Sequence, residues 1–176
     1  SVGQPELFNS FFSTNKNEDV APVSYMEIYE SNTVTVGVFI LKQGSRIPLH
    51  DHQNMFGLLK VLYGGINIQS YSLVGDESSS SNPSVLAIKS PQITVTEKDG
   101  TVILSPRDNN IHEIWPLDGS SAAFLDVLAP PYNPDQDHDC HYFKDDGSFG
   151  QFNLLTQVSC PSSFWCDSLT FSKSQD

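Results

Sequence analysis

The stretch Gly44-Ser45-Arg46-Ile47-Pro48-Leu49-His50-Asp51-His52 decides how the rest of the chain is interpreted. It places two histidines two residues apart, after a glycine and an apolar approach. In an extended strand, residues i and i+2 point to the same face of the sheet. We therefore predict a β-strand that presents two imidazoles side by side, close enough to bind one metal ion.

The composition limits what kind of protein this is. The chain has 176 residues, of which 38% are hydrophobic and 17% are charged, so we expect residues 1–176 to form one globular domain. The formal net charge of −12 favours a cationic substrate or partner. We expect no nucleic-acid partner and no membrane partner, because phosphate backbones and anionic lipids would be repelled.

Three cysteines, Cys140, Cys160 and Cys166, are too few and too unevenly spaced for a secreted disulfide framework. No Cys-x-x-Cys motif is present, so neither a structural zinc knot nor a thioredoxin-type site is indicated. The pattern favours a reducing compartment. We expect a cytoplasmic protein, with the nucleus as a second location, and a monomer.

Short β-strand patterns dominate the remaining sequence. Turn residues separate them at short, fairly regular spacing, which is typical of an all-β sandwich or barrel. The predicted strands are Tyr25–Glu30, Val34–Leu41, Phe56–Tyr63, Ile66–Leu73, Val85–Lys89, Ile93–Thr96, Val102–Leu104, His112–Trp115, Ala122–Leu128 and Phe149–Val158. Pro5–Phe12 predicts a short N-terminal helix, and the polar segments Gly75–Ser84 and Asn133–Asp139 predict surface loops.

Glycine spacing around the histidine pair narrows the fold. Gly44 is followed by five residues, then by His50-x-His52, four residues, Gly57, six residues and Gly64. This pattern resembles the first cupin motif, with Gly57 in place of its glutamate. The usual carboxylate ligand is therefore missing from the predicted site.

A second, weaker pattern supplies the candidate for a third ligand. Gly100, Pro106 and His112 resemble the second cupin motif, although Asp108 replaces its inner glycine and His112 lies one residue later. The two resemblances imply a cupin-type double-stranded β-helix, a jelly-roll barrel in which a later strand brings His112 beside the first pair. The alternative is that His112 is a structural histidine.

Three neutral imidazoles on one face of a metal ion would leave its other face open. Without a carboxylate ligand the ion keeps its full formal charge and favours an anionic substrate ligand, such as a thiolate. Three histidines would equally suit a zinc ion that activates water for hydration or hydrolysis. The spacing alone leaves both chemistries open.

Longer strings identify a family. They are Ile47-Pro48-Leu49-His50-Asp51-His52, Leu59-Lys60-Val61-Leu62-Tyr63-Gly64, Ala123-Phe124-Leu125-Asp126-Val127-Leu128-Ala129-Pro130-Pro131-Tyr132, Asp139-Cys140-His141-Tyr142-Phe143 and Phe164-Trp165-Cys166. The strings resemble the cysteamine dioxygenase and plant cysteine oxidase family of thiol dioxygenases, over roughly Val34 to Cys166. The resemblance is strongest to the animal-type cysteamine (2-aminoethanethiol) dioxygenases.

That resemblance implies an iron(II) enzyme that uses molecular oxygen to convert a thiol to a sulfinic acid. His50, His52 and His112 would bind Fe²⁺. The substrates would be cysteamine or the N-terminal cysteine of proteins and peptides, and the second activity would contribute to oxygen sensing through the N-degron pathway. The alternatives are a zinc or manganese isomerase or hydrolase on the same fold, and a non-catalytic cupin that binds a small ligand.

The resemblance also implies two pocket residues. Asp126 matches a family aspartate and interrupts an apolar run, where a carboxylate is costly unless it is paired or functional. A substrate amine would be such a partner, and a structural hydrogen bond to a neighbouring loop is the alternative. Tyr132 matches a family tyrosine that would donate a hydrogen bond to bound oxygen or substrate, or would only cap the barrel.

Cys140 and Tyr142 lie two residues apart, so on a strand they would share a face. The resemblance implies that this pair forms a thioether near the iron, and an inert buried thiol is the alternative. His138 and His141 are interpreted as ordinary residues. Arg46, at an even offset from the histidine pair, would bind the carboxylate of free cysteine unless the intervening proline disturbs the strand.

Overall fold

The structure is a computed structural model that describes residues 20–75, 84–133 and 139–169. Its strands are β1 Val23–Glu30, β2 Thr35–Leu41, β3 Ile47–Asp51, β4 Phe56–Tyr63, β5 Gly65–Leu73, β6 Ser84–Lys89, β7 Ile93–Thr96, β8 Val102–Leu104, β9 Ile111–Pro116, β10 Ala122–Ala129, β11 Tyr142–Phe149, β12 Phe152–Val158 and β13 Cys166–Leu169. Within these ranges there is no helix with the length and apolar character needed to span a membrane. The helix predicted at Pro5–Phe12 lies outside the described residues.

The strands form two sheets that enclose one core. One sheet has the order β13-β1-β2-β10-β4-β8, and the other has the order β6-β12-β11-β3-β9-β5-β7 with an additional β5–β6 pairing. All of these pairings are antiparallel except β1 with β13. This arrangement confirms the predicted all-β jelly-roll barrel of the cupin type.

The core is built from the inward faces of both sheets. Along β4, buried and more exposed side chains alternate, as expected where one face of a sheet is buried. The main cluster consists of Val23, Leu41, Ile47, Leu59, Val61, Ile66, Ile68, Val95, Ile114, Ala122 and Phe124. Several of these residues also form the floor of the cavity described below, so the core and the candidate site are continuous.

One predicted strand begins three residues later than expected, as β12 Phe152–Val158. Phe149–Val158 is not continuous, because the chain reverses at Gly150, which has a positive φ of 64° that glycine adopts without strain. The result is the hairpin of β11 and β12. Strand β11 was not predicted, since its Lys144, Asp145 and Asp146 interrupt the apolar pattern.

Candidate metal centre

The register of the second sheet brings three histidines together. Strand β3 lies between β9 and β11, and His50 pairs with His112 on one side and with Tyr142 on the other. His52 lies two residues beyond His50. The ring centroids are 4.8 Å apart in each of the three histidine pairs. All three histidines are buried, and one nitrogen from each lies within 4.8 Å of the others, so the cluster can hold a metal ion.

Hydrogen bonds fix the protonated nitrogen of two of these rings. His50 Nδ1 lies 2.8 Å from the Pro48 carbonyl, which can only accept, so Nδ1 carries the proton. The Tyr132 hydroxyl donates to the Asp51 carbonyl at 2.7 Å and accepts from His52 Nδ1 at 2.8 Å. Both rings are therefore left with a free lone pair on Nε2, the arrangement that metal ligation requires.

The electrostatics of the cluster also fit a metal cation. Burial lowers the pKa of His50 to about 4, and burial together with mutual repulsion lowers the pKa values of His52 and His112 well below 6.5. All three rings are neutral at pH 7. Since His52 Nε2 and His112 Nε2 lie only 3.1 Å apart, a cation between the rings would satisfy their lone pairs.

The position of the missing carboxylate ligand, Gly57, also has no room for a side chain. A Cβ at Gly57, which stands at the glutamate position of the cupin motif, would lie 2.8 Å from Cγ of Leu104. Leu104 is buried and fills the space that a longer side chain would need. In the described part of the chain, the metal-holding group consists of histidines alone.

A cavity of about 380 Å³ opens next to the histidines. Besides the three rings, its polar lining includes Tyr25, Glu30, Asp126, Tyr132, Cys140 and Tyr142. Aromatic and aliphatic side chains such as Phe39, Leu59 and Phe124 supply much of the rest. Lysine and arginine are absent from the described residues that line it, so its fixed charges are acidic.

Asp126 lies in the wall of this cavity. It is opposite Gly37 on β2 and Leu59 on β4. Burial raises the pKa of its carboxyl to about 7, against a hydrogen bond from the Val127 backbone that favours the ionised form. Asp126 is among the residues that line the cavity.

Gly37 makes room for another part of the same wall. A Cβ at Gly37 would lie 2.2 Å from Cε2 of Tyr25 and 2.4 Å from its hydroxyl oxygen. The Tyr25 ring thus lies directly over the glycine and against Phe39, with ring centroids 4.8 Å apart. The absence of a side chain at position 37 sets the position of an aromatic wall.

Tyr132 has a different set of contacts from the one predicted. Its hydroxyl is bonded to the Asp51 carbonyl and to His52 Nδ1, and the residue also lines the cavity. Residues 80 positions apart in the sequence make this contact. The hydroxyl therefore orients a candidate ligand, a role that neither of the two predicted alternatives included.

Cys140 and Tyr142 both line the cavity. The Cys140 thiol contacts the hydroxyls of Tyr132 and Tyr142, and burial raises its pKa to about 11. The Tyr142 hydroxyl contacts the thiol of Cys160 as well. The predicted pair is therefore adjacent to the histidines, with a third residue, Cys160, that the sequence did not single out.

Sequence reasoning missed the link between Asp51 and His141. Asp51 is only 2% exposed. Its carboxylate accepts hydrogen bonds from the His141 amide at 2.8 Å and from His141 Nδ1 at 3.1 Å, and its own amide donates to the His141 carbonyl at 3.1 Å. These bonds join β3 to the segment that carries Cys140. The sequence signal for this link was an acidic residue, Asp51, between two histidines that face inward. The other histidine of this region, His138, lies outside the described residues.

Arg46 does not reach the cavity, so its predicted role toward a carboxylate is wrong. Its guanidinium pairs with Glu113 and lies 4.2 Å over the Trp115 ring. The physical reason is a register irregularity between Ile47 and His50, which breaks the strict alternation of faces on which the prediction rested.

Comparisons of the sequence with known proteins show which proteins the chain is similar to. The family described as PCO_ADO matches residues 4–172. Human 2-aminoethanethiol dioxygenase is 39% identical over 146 residues, which cover 72% of this chain and 53% of that protein. Plant cysteine oxidase 1 of Arabidopsis thaliana is 35% identical over 124 residues, which cover 69% of this chain and 41% of that protein.

Among solved structures, CapF with the inhibitor 3-isopropenyl-tropolone matches with a TM-score of 0.52 and 18% identity. The match covers 73% of this chain and 33% of that one, and it shows a likeness of fold alone. The chain spans about half the length of the mammalian relatives that it matches.

Proposed function

Because this chain belongs to the PCO_ADO family, we propose that it is a thiol dioxygenase that uses molecular oxygen to oxidise a thiol to the sulfinic acid. The observation that carries the proposal is the buried cluster of three neutral histidines beside a cavity with an acidic lining. The relatives bear the names of a dioxygenase and of cysteine oxidases, which favours this activity over a zinc or manganese isomerase or hydrolase and over a ligand-binding cupin.

We propose Fe²⁺ as the metal and His50, His52 and His112 as its ligands. When bound, the iron would supply the redox chemistry of oxygen and thiol. The protein would contribute three neutral nitrogen donors in a fixed arrangement. Two of those donors are oriented by the Pro48 carbonyl and the Tyr132 hydroxyl.

Asp126 is the proposed site for the substrate amine. Cysteamine and an N-terminal cysteine each carry an amine two carbons from the thiol. A substrate ammonium beside Asp126 would lower the carboxyl pKa from about 7 and stabilise the ionised form. Such a contact would also orient the thiol toward the histidines.

The same lining disfavours free cysteine as a substrate. Its carboxylate would meet Glu30 and Asp126 without an arginine or lysine from the described lining residues to balance it. In an N-terminal cysteine of a peptide that carboxylate is an amide, and in cysteamine it is missing. We therefore propose these two classes of substrate, with oxygen sensing through the N-degron pathway as the role of the peptide activity, in the cytoplasm and nucleus.

The experiment that tests the function is an oxygen-uptake assay with product analysis. The protein is loaded with Fe²⁺ under nitrogen and then given oxygen with cysteamine or with a peptide that begins with cysteine. We expect oxygen uptake and a product heavier by two oxygen atoms. Turnover by the zinc-loaded protein that does not need oxygen would support the hydrolase or isomerase instead.

Substitution of the ligands separates metal binding from general damage. His50→Ala should lose bound metal and sulfinic acid formation together. His141→Ala is the matched control, because its ring faces Asp51 rather than the cluster, and it should still bind one metal ion per chain. Normal turnover by His50→Ala would contradict the assignment.

A further inference from the structure

Two cysteines, Cys140 and Cys160, lie just beyond the end of the β11–β12 ladder, one next to each strand. Tyr142 pairs with Val158 in this antiparallel ladder. Cys140 and Cys160 lie two residues beyond this last pair, and the same register, if continued, would place them opposite each other. Opposed residues of an antiparallel pair have Cα atoms about 4.5–5.5 Å apart, which lies within the range that a disulfide spans.

The side-chain contacts show that this proximity persists beyond the last ladder pair. The Tyr142 hydroxyl contacts the thiols of both Cys140 and Cys160, and the two thiols also interact with each other electrostatically. The two sulfur atoms therefore lie around one phenol oxygen. Cys166 belongs to β13 in the other sheet, where it pairs with Val23.

We propose that Cys140 and Cys160 form a reversible disulfide, which makes the wall of the cavity a site of oxidative modification. The inference goes beyond the thiol dioxygenase activity and does not depend on a bound metal. All three cysteines have free thiols in this structure.

The proposed oxidant is a low-molecular-weight disulfide. Cys160 is exposed, so its thiolate attacks one sulfur of that molecule, forms a mixed disulfide and releases one small thiol. Cys140 then attacks Cys160 sulfur and releases the second small thiol. Two protein thiols lose two electrons and two protons, and one small disulfide gains them as two small thiols.

The order of these two steps follows from accessibility. Cys140 is partly buried in the cavity wall, and its raised pKa keeps it protonated, which makes it the poorer first nucleophile. Cys160 begins the segment Cys160–Phe164, in which the Phe164 amide donates to the Pro161 carbonyl at 3.0 Å. This turn is open to a small reagent at the position of Cys160.

The disulfide would change the cavity in two ways. It would fasten the turn that carries Phe164 to the wall, and Phe164 lines the cavity with its ring 6.2 Å from that of Tyr142. It would also consume the Cys140 thiol, so that a thioether between Cys140 and Tyr142 could not form. The two covalent states of Cys140 are therefore mutually exclusive.

The test is disulfide mapping of the full chain. Protein from iron-depleted cells is reduced, freed of reductant under nitrogen and incubated with glutathione disulfide. It is then alkylated and digested without reduction for mass spectrometry. We expect a peptide pair joined through Cys140 and Cys160, lighter by two hydrogen atoms than the two free peptides and lost after treatment with dithiothreitol.

Single substitutions provide the matched controls. Cys160→Ser should lose the joined peptide completely, whereas Cys166→Ser, at the other exposed cysteine, should retain it in full. Recovery of both Cys140 and Cys160 as alkylated thiols, or a disulfide made by Cys166 instead, would overturn the proposal. Because the mapping requires neither metal nor turnover, absence of sulfinic acid formation beside a mapped disulfide would count against the proposed function only.

Discussion

The hydroxyl of Tyr132 controls the orientation of one histidine ring. Tyr132→Phe would leave His52 Nδ1–H without its acceptor in a buried site. We expect a loss of about 1–3 kcal/mol in the free energy of unfolding, and metal affinity about 10- to 100-fold weaker. Metal titration by calorimetry and urea denaturation measure the two effects.

Tyr29→Phe is the control for that substitution, because the Tyr29 side chain is 56% exposed and is not among the residues that line the cavity. We expect its metal affinity and stability to match those of the unmodified chain. If Tyr132→Phe also binds metal with unchanged affinity, the hydroxyl does not orient the ligand.

Asp126 should distinguish charged from uncharged thiols. Asp126→Asn removes the carboxylate that is proposed to bind the substrate amine, so KM for cysteamine should rise about 10- to 100-fold. 2-Mercaptoethanol has the same carbon chain without the amine, and its KM should change little. Steady-state oxygen uptake with both thiols measures the difference, and an equal loss for both would contradict amine recognition.

The pH profile gives a second measurement at the same residue. The pKa of Asp126 is raised to about 7, so the carboxylate forms only as the pH rises through neutrality. In the unmodified chain, KM for cysteamine should therefore fall between pH 6 and pH 8. Asp126→Asn should lose that fall, and a variant that kept it would assign the dependence to another group.

At the scale of a strand, Gly37 on β2 leaves room for the Tyr25 ring in the wall of the cavity, because glycine has no side chain. Gly37→Ala would force the Tyr25 ring to move, because the new Cβ would lie 2.2 Å from Cε2. We expect a loss of about 1–3 kcal/mol in the free energy of unfolding, together with weaker thiol binding as the ring is displaced.

Gly100→Ala is the matched control for the Gly37→Ala substitution. Nothing lies within 4 Å of the added Cβ, and its φ is not in the left-handed region. Thermal denaturation of both variants should therefore show a lower Tm for Gly37→Ala alone. Equal Tm values would mean that Tyr25 moves at no cost and that the glycine is not needed.

The strands also show what the sequence could predict and what it could not. Phe56–Tyr63 and Val102–Leu104 were predicted with the bounds they have, because β-branched and apolar residues repeat there between clear turn residues. Strand β11 was missed because its charged residues are stabilised by partners distant in sequence, such as the Tyr71 hydroxyl on Asp145 at 2.9 Å. No local pattern contains that information.

The candidate site was also predictable only in part from the sequence. Glycine spacing and the His-x-His pattern are local, and they led to three histidines that the structure does bring together. Other contacts depend on the register of the sheets and on the irregularity in β3. They are Tyr132 with His52, Asp51 with His141, and Arg46 with Glu113. Those features required the three-dimensional structure.

At the scale of the whole molecule, buried ionisable groups couple stability to pH. Burial lowers the pKa of His50 to about 4 and the pKa values of His52 and His112 well below 6.5, so the unfolded chain binds protons below pH 6.5 that the folded chain does not. Asp126 has the opposite sign, because its folded pKa of about 7 lies above the unfolded value of 3.8. On unfolding between pH 4.5 and pH 6.5, the three histidines take up as many as three protons and Asp126 releases one, so the net uptake is about two protons at most.

The metal-free protein should therefore lose stability as the pH falls from 6.5 to 4.5, by up to about 2–3 kcal/mol per pH unit. Urea denaturation at several pH values measures this slope. His112→Gln removes one of the three titrating rings and should roughly halve the slope, whereas the control substitution Tyr29→Phe should leave it unchanged. Stability that stayed constant or rose toward pH 4.5 would contradict the burial of three neutral histidines. It would mean that the unfolded chain binds no more protons than the folded chain does in this pH range.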